Sequence, residues 1–113
     1  MRHKVSITVP STTGVNKPAP ELHAEYVEKA CRLLAVLFGG FTALEGRGGW
    51  VSETFGLVVE PITVVYAACT EAKLEAGLPK VRALAAEIAE AMTQECVAVE
   101  VDGTLELVAA EAA

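Results

Sequence analysis

The sequence predicts an α+β fold: a ferredoxin-like β-α-β-β-α-β order with an extra C-terminal hairpin strand, an antiparallel sheet carrying two helices on one face. Three patterns predict it. Lys4–Pro10 alternates apolar and polar residues, the period of a half-buried strand. Residues 21–38 and 79–92 repeat apolar residues every three or four positions, the period of an amphipathic helix. Asp102-Gly103 lies between two short apolar runs, a strong two-residue hairpin signal.

A chain of 113 residues implies one domain over its whole length. At this size a chain buries roughly two-thirds of the surface its unfolded form exposes, so no staple is needed. No apolar stretch is long enough for a transmembrane helix, and Met-Arg-His-Lys leads into alternation rather than a signal-peptide core. The expected compartment is cytoplasmic. The formal net charge of −6, with nine scattered basic residues, argues against nucleic acid as a partner, because phosphates are held by clustered Lys and Arg. Cys31, Cys69 and Cys96 lie in apolar segments without short spacing, so they read as free thiols rather than a disulfide framework or a zinc site.

Taken in order, Val5, Ile7 and Val9 line one face of the first strand, and Pro10 ends it. Residues 11–20 read as a loop rich in Ser, Thr, Gly, Asn and Pro. The helix Glu21–Phe38 buries Val27, Ala30, Cys31, Leu34 and Phe38, and Gly39 can take the left-handed cap. The second strand begins at Phe41–Leu44 and continues at Trp50–Ser52 past a glycine-rich interruption. Leu57–Cys69 is the third and longest strand, with Pro61 suited to an edge or a bulge. Thr70 caps a short helical turn that Gly77 stops, and Pro79 opens the second long helix, where its missing N–H is harmless. Cys96–Val101 and Thr104–Val108 form the last hairpin, followed by a frayed tail over 109–113. In a strict two-residue turn, Val99 and Val101 share one face while Ala98, Leu105 and Leu107 share the other. Both faces are then partly apolar. Either a bulge at Gly103 shifts the register, or a second chain covers the second face.

The stretch around Gly46-Arg47-Gly48-Gly49 is the sharpest local feature. One reading is an anion nest of backbone N–H groups with Arg47 adding a charged fork; the other is a bulge or kink between strand halves. It has neither P-loop nor dinucleotide-fold spacing. Trp50 is the only tryptophan and reads as core or as a ligand anchor. Glu60 reads as an outward edge carboxylate or as a buried acid paired with Arg47. His23 falls on a different helix face from Glu21 and Glu25, which gives no metal site. Gln94-Glu95 reads as a polar helix terminus bonding into the next strand. No nucleophile or acid–base set is legible, and no cofactor is implied.

Gly40-x-Thr42, the turn glycines Gly46 and Gly48, Trp50, Glu60 opening the apolar strand, and Gln94-Glu95-x-Val97 together resemble a family of small bacterial proteins of unknown function. The resemblance spans residues 38–108, implies no catalytic residue, and extends to plasmid- and phage-borne genes. The element order is also similar to that of PII-type signalling proteins, which bind nucleotides between subunits of a trimer. By position Gly40, Thr42, Arg47 and Gly48 are the counterparts. The long loop between the second and third strands is absent or shortened here, and the basic nucleotide-contacting residues have no match.

Together these readings lead to a non-enzymatic, homo-oligomeric module that senses or sequesters a small anionic ligand, such as a nucleotide. Its ligand-binding set is Thr42, Gly46, Arg47, Gly48, Gly49, Trp50 and Glu60. The alternative is a small acidic protein-interaction module, an inhibitor or adaptor, phage- or plasmid-encoded.

Overall fold

The alternation of the first strand places Val5, Ile7 and Val9 on one face, and all three are fully buried. This strand, β1 (His3–Val9), is the middle of a five-stranded antiparallel sheet. The computed structural model describes residues 2–110. After β1 come β2 (Thr12–Thr13), β3 (Lys17–Pro18), α1 (Pro20–Phe38), β4 (Thr42–Ser52), β5 (Gly56–Cys69), α2 (Glu71–Ala91), β6 (Cys96–Val101) and β7 (Thr104–Ala109). The sheet order is β4-β5-β1-β6-β7, and β2 and β3 pair separately as a small ribbon within the 11–20 loop. Both helices cover the face of Val5, Ile7 and Val9, where Leu34, Phe38, Val81 and Ile88 close one core with Val65, Cys69 and Val99. No described helix is long and apolar enough to cross a membrane.

Helix α1 follows its apolar spacing: Tyr26, Ala30, Leu34 and Phe38 are buried, and Gly39 caps it at φ 93° with its N–H on the Ala35 carbonyl. Helix α2 departs from expectation. It is one helix rather than a turn stopped at Gly77 and a helix opened at Pro79. The Thr70 side chain accepts from the Lys73 N–H, as a cap should. Gly77 is a packing residue: a Cβ there would lie 2.8 Å from a ring carbon of Phe38, so glycine lets the two helices approach. Pro79 costs one backbone bond, but the carbonyl it frees belongs to exposed Glu75, which water can satisfy. We expect Gly77→Val to lower stability by about 1–3 kcal/mol through overpacking against Phe38, read as a lower urea midpoint with unchanged far-UV circular dichroism.

The central stretch also departs from expectation. β4 is a continuous strand of eleven residues, paired with β5 from Thr42↔Tyr66 to Ser52↔Gly56. Gly46, Gly48 and Gly49 make no interruption, kink or nest; they are extended backbone opposite Ile62, Glu60 and Val59. The β-branched residues of β5 impose this. Ile62 fills the space beside Gly46 and Gly48, and a Cβ on Gly49 would meet the Val58 carbonyl at 3.0 Å. Pairing of β5 with β1 ends at Val9↔Thr63, so residues 56–62 and 46–52 run on as a two-stranded arm. Pro61 sits in this arm, where β5 has one neighbour. The Ser52 hydroxyl accepts from the Thr54 and Phe55 N–H groups at the arm's tip, and Gly56 closes the turn at φ 72°.

In the last hairpin Asp102 and Gly103 both have positive φ, as the tight turn requires, and the register is strict: Val101↔Thr104, Val99↔Glu106 and Ala98↔Leu107. No bulge intervenes. Asp102 also accepts from the Lys4 N–H and contacts His3 at 2.6 Å, pinning this turn to the start of β1. These two contacts, His3 first, hold the Asp102 carboxyl below its usual range. Arg82 of α2 binds Glu106 through two nitrogens, fixing β7 to the helix layer. The predicted tail starts too early: Ala109 still pairs with Cys96, while 111–113 lie outside the described residues.

Candidate ligand cleft

Residues paired across an antiparallel ladder share a face. The register therefore puts Thr42, Gly46, Gly48, Trp50 and Glu60 on the face of the β4–β5 pair away from the helices. Arg47 and Gly49 lie on the opposite face, so Arg47 does not pair with Glu60. Arg47 is exposed and pairs with no carboxylate among the described residues. Trp50 is 54% exposed and is not core. It lies opposite Val58 and diagonal to Glu60. Thr42 is eight residues from Trp50, about 26 Å of strand, too far to share a small ligand with it in one chain.

Glu60 is neither a free edge carboxylate nor an ion-pair partner. It is half-buried and accepts a hydrogen bond from the Thr12 hydroxyl, which ties the 11–18 loop to the arm. Gln94 holds the same loop from the other side. Its side-chain amide donates to the carbonyls of Thr12 at 2.8 Å and Gly14 at 3.3 Å, and the Gly14 N–H reaches the Met92 carbonyl. Gln94 thus clamps the loop after β1 rather than bonding into β6. His23 anchors the loop's root: Nδ1 donates to the Pro10 carbonyl at 2.7 Å, and Nε2 hydrogen-bonds the Thr63 hydroxyl at 3.0 Å. The sequence carried a signal for His23. It lies three and seven residues before Tyr26 and Ala30, on the inward stripe of α1.

Clefts open on either side of this loop. One, of about 400 Å³, is lined by Thr12, Asn16, Pro18, His23, Glu60 and Pro61. The other, of about 510 Å³, is lined by Gly14, Val15, Trp50, Gln94, Glu95 and Cys96. Both are of ligand size. Neither lining includes a lysine or arginine, whereas each has a carboxylate. A third hollow of about 680 Å³ separates α1 from Ala43 and Glu45 of β4, but its His23 and Thr63 are already bonded to each other. Of the cysteines, all free, Cys69 is buried, and Cys31 and Cys96 are half-buried. Burial pushes the Cys31 and Cys69 thiols up.

No protein-family model matches this sequence, and no curated protein matches it. Among solved structures, the chain is similar to a phage SAM lyase in complex with S-methyl-5′-thioadenosine. That likeness has a TM-score of 0.69 at 21% identity and covers 96% of this chain and 90% of that one. The apo state of a phage SAM lyase is matched at a TM-score of 0.68 and 20% identity, over 98% of this chain and 91% of that one. At this identity the likeness shows the fold, over nearly the full length of both chains.

Proposed function

We propose that this chain binds S-adenosylmethionine beside the 11–18 loop and splits it to S-methyl-5′-thioadenosine. The observation that carries the proposal is the near-complete fold match to the phage SAM lyase, with no large segment left over on either side. The cleft chemistry supports it. The ligand offers a flat base, a ribose diol and a cationic sulfur. Glu60 suits the cation in the cleft it shares with Thr12 and Pro61, and across the loop the half-exposed Trp50 indole and Glu95 offer the second cleft a platform for a base and a carboxylate. An anion such as a nucleotide phosphate finds no lysine or arginine in these linings. The absence of a legible acid–base set is no obstacle to this reaction. Attack of the substrate's own carboxylate on Cγ forms a C–O bond and closes homoserine lactone, while the Cγ–S bond breaks and returns its electron pair to sulfur, so the thioether leaves neutral and neither general acid nor base is needed. The protein has to hold the cation, fold the carboxylate back towards Cγ and exclude water. The strand sequence β4-β5-β1-β6, with α1 and α2 as crossovers, supports reading the core as ferredoxin-like with β7 added. A phage origin, as for the two matched lyases, fits the same picture.

The test is incubation with S-adenosylmethionine and chromatography for S-methyl-5′-thioadenosine, paired with a thermal-shift series that includes both compounds and ATP. Product above the buffer rate is the expected result. Ligand at a hundred times its Kd should also raise the midpoint by about 10 °C. A shift without turnover would make the chain a sequestering module. A shift with ATP alone would return the anionic reading. No shift and no product would remove the ligand and favour a small acidic inhibitor or adaptor.

A further inference from the structure

We infer that the outer edge of β4 takes an extended, basic peptide segment as an added strand. Three observations carry this. The first is that the edge is open. β4 has one neighbour in the sheet, β5, along all eleven of its residues. Every second residue of such a strand turns its N–H and C=O outward, where no other strand of the sheet pairs with them. Sheets ordinarily blunt an edge of this kind with short strands, prolines, lysines or bulges. β4 uses none of these: its register with β5 is unbroken, and it contains neither proline nor lysine. Gly46, Gly48 and Gly49 put no side chain along the edge, so another backbone can come close. The opposite edge of the sheet, β7, is six residues long and is clasped to α2 through Arg82 and Glu106.

The second observation is the hollow beside that edge. On the helix side β4 presents Ala43 and Glu45, opposite the buried Val65 and Thr63. Between them and α1 lies the hollow of about 680 Å³, whose lining includes Val27 and Glu28. A strand added to β4 sends alternate side chains to this side. The small Ala43 leaves a long side chain room to fold over β4 toward Glu28. The remaining side chains of the added strand fall on the other face, beside Leu44, which is 55% exposed, and over the bare Gly46.

The third observation selects the occupant. The hollow is lined by two carboxylates, Glu28 and Glu45, and by no lysine or arginine. Arg32 engages only Oε1 of Glu28, at 2.9 Å, and Glu45 pairs with no cation among the described residues. The chain as a whole carries a formal charge of −6, so a segment of positive charge is drawn to this edge while a second copy is repelled. In an antiparallel addition the residues opposite Glu45 and Ala43 are then basic, and those opposite Leu44 and Gly46 are apolar. Opposite the exposed Arg47 a small polar residue avoids setting one cation against another. Backbone hydrogen bonds supply the affinity of such a complex, and this alternation supplies its selectivity.

The probe is the end-blocked peptide Thr-Val-Thr-Phe-Lys-Val-Lys, which in antiparallel register sets its lysines opposite Glu45 and Ala43. Calorimetry on the full chain without S-adenosylmethionine should show saturable binding below about 1 mM, and the proposed reaction can fail without affecting this result. Exchanging both lysines of the peptide for glutamates should weaken binding at least about fivefold, and Glu45→Lys should weaken the original peptide and strengthen the glutamate form by a similar factor. N-methylation of alternate residues reads the backbone. The phase whose N–H groups face β4 should lose binding, and the other phase should keep it. Glu45 is exposed, so its lysine variant should show unchanged circular dichroism; if that variant does not fold, the methylated peptides carry the test. No saturable binding, equal binding of both methylated forms, or indifference to the lysine-to-glutamate exchange would overturn the inference. So would a sedimented mass above 11.8 kDa that Glu45→Lys returns to 11.8 kDa, because a second copy would then occupy the edge.

Discussion

Truncating Ile7 to alanine should cost the fold about 2–5 kcal/mol, a large part of the roughly 5–15 kcal/mol that holds a typical domain folded. Ile7 is fully buried and lies in the middle strand of the sheet, opposite Val65 of β5 on one side and Val99 of β6 on the other. Both neighbours are themselves fully buried, and Leu34 of α1 and Ile88 of α2 belong to the same core. Truncation therefore leaves a cavity in the core that the sheet shares with both helices. Its walls cannot close together, because strand spacing is fixed by the ladders on both sides of β1. Val36 supplies the contrast: at 83% exposure on α1 its truncation should change stability by less than about 0.5 kcal/mol. Urea unfolding of the two variants reads the difference as a large drop in midpoint for Ile7→Ala and almost none for Val36→Ala. A loss below about 1 kcal/mol at Ile7 would mean that β1 is not the centre of the sheet.

What could be read from the sequence is what neighbours in sequence determine. The alternation around Ile7, the inward stripe of α1 and the Asp102-Gly103 hairpin are local patterns, and the structure contains each of them. Residues whose state is set by distant partners were misread. Glycine has no side chain to pair across a sheet, so Gly46–Gly49 looked like a break. Their extended state comes from Ile62 and Val59, some ten to sixteen residues away in sequence. Gly77 looked like a stop signal, yet its absent side chain makes room for Phe38 of another helix. The candidate cleft was half legible for the same reason. Trp50 and Glu60 stood out as isolated residue types, and the ladder does bring them to one face. That Thr12 would bind Glu60 and Gln94 would clamp the Thr12 carbonyl could not be seen, because those partners lie 48 and 82 positions apart.

Glu60→Gln and Glu60→Ala should separate the two jobs that the proposed function gives this carboxylate. In the fold, Glu60 accepts the Thr12 hydroxyl and so holds the 11–18 loop against the arm. A glutamine keeps a carbonyl acceptor there and should leave the unliganded midpoint close to wild type. An alanine removes the acceptor from a half-buried site, which should cost about 1–3 kcal/mol. Under the proposed function the negative charge would face the cationic sulfur of S-adenosylmethionine in the cleft, while S-methyl-5′-thioadenosine is neutral. Glu60→Gln should therefore weaken binding of the sulfonium at least about tenfold, the equivalent of about 1.4 kcal/mol, and change binding of the thioether by less than about twofold. Release of product should fall at least in step with sulfonium binding. Calorimetry with both compounds on both variants is the measurement. Equal weakening for the charged and the neutral ligand in the glutamine variant would show that Glu60 acts through the loop alone. The cation would then have to be held by Glu95, on the far side of that loop, with Trp50 beside it.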